Sequence, residues 1–173
     1  DCQTAILRSE LHRREGNLSE SEEALSQVAN PKAPRVLFER GEIEHAKRNF
    51  TKARRIFSSL AKKNFRAGDC YNAIGRSYLE EGKLGEAEKA FGKSVLVDPE
   101  SRLAWSKLAE IQNSKQNLAQ EIQALRKVVA LEPKNVEALD AFVEALVRGG
   151  LFRKVHRLTI QSKLPFLPRS ILF

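Results

Sequence analysis

Apolar residues recur along this chain in columns 34 residues apart. Leu37, Tyr71, Trp105 and Leu139 form one column, and Gly41, Gly75, Ala109 and Val143 a second. Phe50, Leu84, Leu118 and Phe152 form a third, and Phe57, Phe91 and Leu125 a fourth. Four columns in one register mean stacked supersecondary units, each unable to bury its apolar face alone. Within the clearest unit, Tyr71, Ile74, Gly75 and Tyr78 fall at i, i+3, i+4 and i+7, one face of a helix. Gly82 supplies a left-handed helix end. Leu84, Ala87, Phe91 and Ser94 mark the inner face of a second helix. Asp98-Pro99 stops it, because proline lacks an N–H and keeps its predecessor out of the helical region.

The unit therefore reads helix, turn, helix, stop. Gly75 and Ala87 let the two backbones approach, and Tyr71, Tyr78 and Phe91 fill the space around the crossing. The unit at 102–135 repeats the pattern but carries Gln112 in the slot of Tyr78 and Glu121 in the slot of Ala87. The unit at 34–67 has Phe65 where the stop proline would fall. The last full unit starts at Val136, with Phe142, Leu146, Gly150 and Val155 in their slots. A weaker unit precedes them all. It keeps Gly16, Leu18, Leu25 and Val28 at an offset of 32.

Tyr71-x2-Ile74-Gly75-x2-Tyr78, followed by Ala87, Phe91 and Pro99, resembles the tetratricopeptide repeat slot for slot, and the likeness covers nearly the whole chain. The expected fold is all-α, an α-solenoid of about five helix-turn-helix units. The array spans 1–163, with repeats at 2–33, 34–67, 68–101, 102–135 and 136–163 and an apolar tail at 164–173. The resemblance implies a right-handed superhelix whose first helices line a concave groove that holds a peptide or a partner helix. Three groove columns follow from the register. They are Phe38, Asn72, Ser106 and Asp140, then Glu42, Arg76, Glu110 and Glu144, then His45, Leu79, Asn113 and Val147. Acid exceeds base in these columns, which predicts a partner of basic or hydrogen-bonding character. A few buried contacts dominate such binding, and Phe38, Asn72, Arg76 and Leu79 are the expected anchors because they cluster at adjacent repeats near the centre.

Some members of the family clamp a chaperone's C-terminal carboxylate with Lys, Asn and Arg. At the matching slots this chain has Phe38, Glu42, Ala73, Leu103 and Lys107. Shifted by one repeat, the slots hold Asn72, Arg76, Lys107, Glu137 and Ala141. Neither set makes the clamp.

Charge adds a second candidate surface. The formal net charge is +8, and from Lys47 to Arg66 there are eight bases and no acid. Lys47, Arg48, Lys52, Arg54, Arg55, Lys62, Lys63 and Arg66 form this stripe, mostly on a second helix and so on the convex face. It would attract phosphates or an acidic protein. Readers of single strands interleave aromatics for stacking, but Phe50 and Phe57 occupy core slots here, which argues against nucleic acid.

No catalytic constellation is present in the sequence. His12, His45 and His156 lie in three different units and form no metal pair. Gly92-Lys93-Ser94 ends like a phosphate loop but has Ala87 in place of the earlier glycine and lies within a helix. No cofactor and no metal are expected. The sequons at Asn17 and Asn49 fall where helix-capping asparagines belong. No run of the length needed to span a membrane occurs. Cys2 and Cys70 lack ligand spacing, and a reducing cytosol is mildly favoured. The absence of Met, even at position 1, marks an excised or processed segment. The tail from Leu164 to Phe173 is too apolar for a solvating cap. It folds back, continues a segment, or docks by self-association.

The function these features support is a non-catalytic scaffold or adaptor for protein–protein interaction, binding a partner segment in its groove. Two alternatives remain. One is the recognition arm of a larger enzyme or signalling protein. The other is an acidic-surface or nucleic-acid binder working through the convex stripe.

Overall fold

A computed structural model of the chain describes residues 2–151. Phe152, Val155, His156 and the tail at 164–173 lie outside them. The described residues form nine α-helices and no strand. They are α1 (Cys2–Arg14), α2 (Leu18–Ser26), α3 (Pro34–Ala46), α4 (Phe50–Lys62), α5 (Ala67–Glu80), α6 (Leu84–Val97), α7 (Arg102–Ser114), α8 (Leu118–Leu131) and α9 (Val136–Arg148). The chain divides into two compact units, Asp1–Ala104 and Trp105–Phe173.

In the first unit α1 packs on α2, α3 on α4, and α5 on α6, while α3 also contacts α1 and α2, and α5 contacts α4. The close approach of α3 to α4 and of α5 to α6 depends on a glycine facing an aromatic ring. A Cβ on Gly75 would lie 2.7 Å from two ring carbons of Phe91, and one on Gly41 2.8 Å from two of Phe57. Both rings are fully buried. The first pair solves the same crossing with hydroxyls. Ser9 and Ser21, 32 residues before Gly41 and Ala53, are both fully buried. The Ser21 hydroxyl donates to the Ser9 carbonyl at 2.8 Å, and the two hydroxyls lie 2.8 Å apart. Each buried polar group thereby finds its partner inside the crossing.

The turn that follows each of α1, α3, α5, α7 and α9 has one geometry. Gly16, Arg48, Gly82, Gln116 and Gly150 all have positive φ, between 58° and 85°. In each case the next residue's N–H reaches back five residues to a carbonyl, as Lys83 does to Tyr78 at 2.9 Å and Asn49 to Glu44 at 2.8 Å. This left-handed closure satisfies carbonyls that the helix end leaves open. Glycine takes it without cost, whereas Arg48 and Gln116 carry a strain of about 1 kcal/mol each.

The turn from α4 to α5 departs from the others. No proline ends α4. The chain turns instead on Asn64 and Arg66, both in the left-handed region. Phe65 between them packs against the core built around Phe57, Leu60, Cys70 and Ile74. Asn17 and Asn49 stand at N-cap positions, but neither side chain bonds a helix N–H. Asn49 instead donates to Glu44. Asn135 does cap α9, accepting from Ala138 N–H at 3.0 Å.

The second unit holds the two polar departures from the repeat. Glu121 is only 4% exposed. Arg148, at the end of α9, donates to it. A carboxylate in an alanine slot persists because a guanidinium from the neighbouring helix reaches it.

Candidate functional site

The first helices of the first unit enclose a concavity of about 570 Å³. Its lining comes from α1, α3, α5 and the segment from Ser101 to Leu103. The floor is an alternating charge chain. Arg13 grips Glu39 with Nε at 2.7 Å and Nη2 at 3.4 Å. Its Nη1 lies 3.8 Å from Glu42. Arg76 then holds both Glu42 oxygens, at 2.7 and 2.9 Å. Glu39 and Glu42 are buried, whereas the Arg76 side chain stays 38% exposed. Burial pushes the Glu39 carboxyl above its ordinary value, and the hydrogen bond from Arg13 opposes that rise. The Arg13 guanidinium is held above its ordinary value. Burial alone would lower it, but the bond and charge of Glu39, together with the charges of Glu42 and Glu10, outweigh burial.

Above this floor the concavity carries arginines. Arg66 lies 4.3 Å over the Phe38 ring centroid and bonds Asp69 at 2.7 Å. Phe38 stands edge-on to Phe57 at 5.3 Å, so its ring is fixed as a platform. Asn72 donates to the Ser101 hydroxyl at 3.1 Å, while its carbonyl oxygen is buried without a partner. Leu7 and Leu103, 57% and 40% exposed, add apolar surface to the lining.

Of the groove residues read from the sequence, Phe38, Glu42, Asn72 and Arg76 line this concavity together. His45 and Leu79 do not. His45 is half-buried beside Glu80 at 3.3 Å and stacks edge-on to Phe50. Burial, then the Arg76 charge, lowers its pKa. Ser106, Glu110, Asn113, Asp140, Glu144 and Val147 belong to the second unit. There Glu110 pairs with Lys107, and Asp140, Glu144 and Asn113 are exposed.

The structure adds residues to the groove surface. In the first unit the lining carries six arginines against four acids, most of them outside the sequence columns. Glu39, Glu42 and Arg13 share the floor, so the acid charge faces arginine rather than solvent. The sequence columns omitted Arg13, because the first unit's offset of 32 hid its register. They also omitted Glu39, Arg35 and Arg102. The convex stripe is likewise not uniform. Arg66 lines the concavity, because the left-handed turn at Asn64 and Arg66 carries its guanidinium onto Phe38. Arg54 is paired with Glu81 and stacked 4.3 Å from the Tyr78 ring centroid. Lys47 pairs with Glu22, and Arg48 lies beside Glu80 and Phe50. Lys52, Arg55, Lys62 and Lys63 remain exposed.

Among the described residues no cluster of His, Cys, Asp or Glu could hold a metal, and no helix is long and apolar enough to cross a membrane. Gly92-Lys93-Ser94 lies inside α6, with the buried Ser94 hydroxyl donating to the Gly68 carbonyl. That hydroxyl is held by the fold, not offered to a phosphate. Cys70 is buried, and burial pushes its thiol up to about 12, so it stays a protonated packing residue.

Paired helices repeated along the chain, with a concavity built from first helices, define an all-helical repeat protein. The tetratricopeptide repeat profile matches residues 6–68 and 72–136. The chain belongs to that family. A peroxisomal targeting signal receptor of Komagataella pastoris is 36% identical over 90 residues, covering 51% of this chain and 16% of the receptor. The chloroplastic protein PYG7 of Arabidopsis thaliana, a tetratricopeptide repeat domain protein, is 31% identical over 136 residues, covering 75% of this chain and 44% of its own length. The chain thus spans less than half of either relative. Among solved structures, MamA from Desulfovibrio magneticus superimposes with a TM-score of 0.67 at 17% identity, covering 94% of this chain and 93% of that one. The type IV pilus biogenesis factor PilW gives 0.71 at 14% identity, covering 100% and 83%. At these identities the likeness extends to the fold alone.

Proposed function

We propose that this chain is a non-catalytic interaction scaffold whose first unit holds a segment of another protein in the concavity between α1, α3 and α5. The observation that carries this reading is the concavity itself. It is large enough for several side chains of a ligand, and a charge chain of Arg13, Glu39, Glu42 and Arg76 holds its floor in place. Such preorganisation lowers the ordering cost of binding. Asn72 supports the reading further. It lines the concavity and donates to the Ser101 hydroxyl at 3.1 Å, so its side chain is fixed in the wall. The peroxisomal relatives are, by name, receptors for a targeting signal, which is the same kind of task.

The test is a displayed library of random 12-residue peptides selected on the 173-residue chain. Enriched peptides are then measured against Asn72→Trp, which fills the concavity, and against Lys62→Trp on the exposed face of α4. Circular dichroism checks that both variants fold. Loss of binding by Asn72→Trp alone supports the scaffold reading. Peptides held equally by Asn72→Trp, or the absence of any enriched peptide, would refute it.

A further inference from the structure

We infer that the segment held in this concavity is acidic and carries bulky apolar side chains, an inference that rests on the groove reading above. The buried carboxylates of Glu39 and Glu42 are each hydrogen-bonded by a guanidinium, Glu39 by Arg13 and Glu42 by Arg76. They therefore have little attraction left for a basic ligand. The charge that meets solvent is mostly of the opposite sign, with Arg14, Arg35, Arg66 and Arg76 set against the part-exposed Glu10 and Asp69. Arg35 is exposed on the first turn of α3. Arg66 is 53% exposed, and its bond to Asp69 is a surface pair of two half-exposed groups. Such pairs contribute little, so a ligand carboxylate competes readily for the same guanidinium. Arg66 also sits 4.3 Å over the Phe38 ring centroid, a contact that restrains the side chain while its terminal nitrogens stay available to a carboxylate. Complementary charge chiefly steers encounter and selects partners. Affinity then needs desolvated anchors, and Leu7 and Leu103 offer apolar contact within the same lining.

The composition of the selected peptides decides the matter. On the wild-type chain the enriched sequences should carry a net negative charge and at least one large apolar residue. Replacing each Asp and Glu of an enriched peptide by Asn and Gln should weaken it about tenfold or more in fluorescence anisotropy. The double variant R35E/R66E, both exposed residues whose change leaves the core intact, should bind the acidic and the amide peptide equally. K62E/K63E should keep the preference. Neutral or basic enriched peptides that Asn72→Trp still abolishes would overturn the acidic inference and leave the groove standing. An acidic preference that survives R35E/R66E, or vanishes in K62E/K63E, would also overturn it and move the charge selection to α4. Acidic peptides indifferent to Asn72→Trp would remove the groove itself.

Discussion

Gly75 is the position where this fold is most exposed to a single methyl group. A Cβ there would sit 2.7 Å from Cε2 and Cζ of Phe91 and 2.9 Å from Cδ2, whereas ordinary contact begins near 3.4 Å. The ring must retreat by about 0.7 Å, yet Phe91 is fully buried. Overpacking of this kind costs about 1–3 kcal/mol. Alanine returns about 1 kcal/mol as the better helix former. Gly75→Ala should therefore destabilise by about 1 kcal/mol net. Gly92, in α6 of the same repeat, has no neighbour within 4 Å of its added Cβ. Gly92→Ala gains the propensity without the clash and should stabilise by about 1 kcal/mol. Urea unfolding followed by circular dichroism should separate the two midpoints by about 1 M, given the usual dependence for a chain of this size. Phe91→Leu should cost less in the Gly75→Ala background than in the wild type, because it relieves the contact. Equal midpoints for Gly75→Ala and Gly92→Ala would refute the account of the helix crossing.

Other expectations follow from the same geometry. Gln116→Gly should raise stability by about 1 kcal/mol in urea unfolding, by removing a left-handed non-glycine residue; no gain would mean the turn is unstrained. Arg148→Met should cost about 3 kcal/mol by leaving Glu121 buried and uncompensated, while Glu121→Ala should be near neutral, since it restores the repeat's usual residue. Equal losses in the two variants would refute that asymmetry. His45 has a folded pKa below its unfolded value of about 6.5. Its contribution is thus present above that value and lost as pH falls through it toward the folded pKa. His45→Gln should remove this part of the acid destabilisation, and unchanged pH profiles of urea midpoints would exclude it.

The helix pairs were legible because their cause is periodic. Tyr71, Gly75 and Phe91 meet through 3.6-residue spacing and one crossing, and both are written in local order. The first pair is less legible. Ser9 and Ser21 are polar, and nothing in their composition signals a buried crossing until each is seen to satisfy the other. The candidate site was legible only by column. Phe38, Asn72 and Arg76 share a register that places them on first-helix faces, and they do line one concavity. Leu79 and His45 share the same logic and fall outside it, because a column does not say how deep each side chain sits.

The sequence by itself determined the repeat, the helix pairs, the small residues at their crossings and the family. Each follows from near neighbours along the chain and from a 34-residue spacing. The tertiary structure alone decided which charges meet in the concavity. Counted along the chain, its columns are acidic. In space Arg13 of α1 and Arg76 of α5 close over Glu39 and Glu42 of α3, and the left-handed turn brings Arg66 in from what reads as the opposite face. Charge at a surface depends on which partner each group meets, and those partners lie 26 to 34 residues apart.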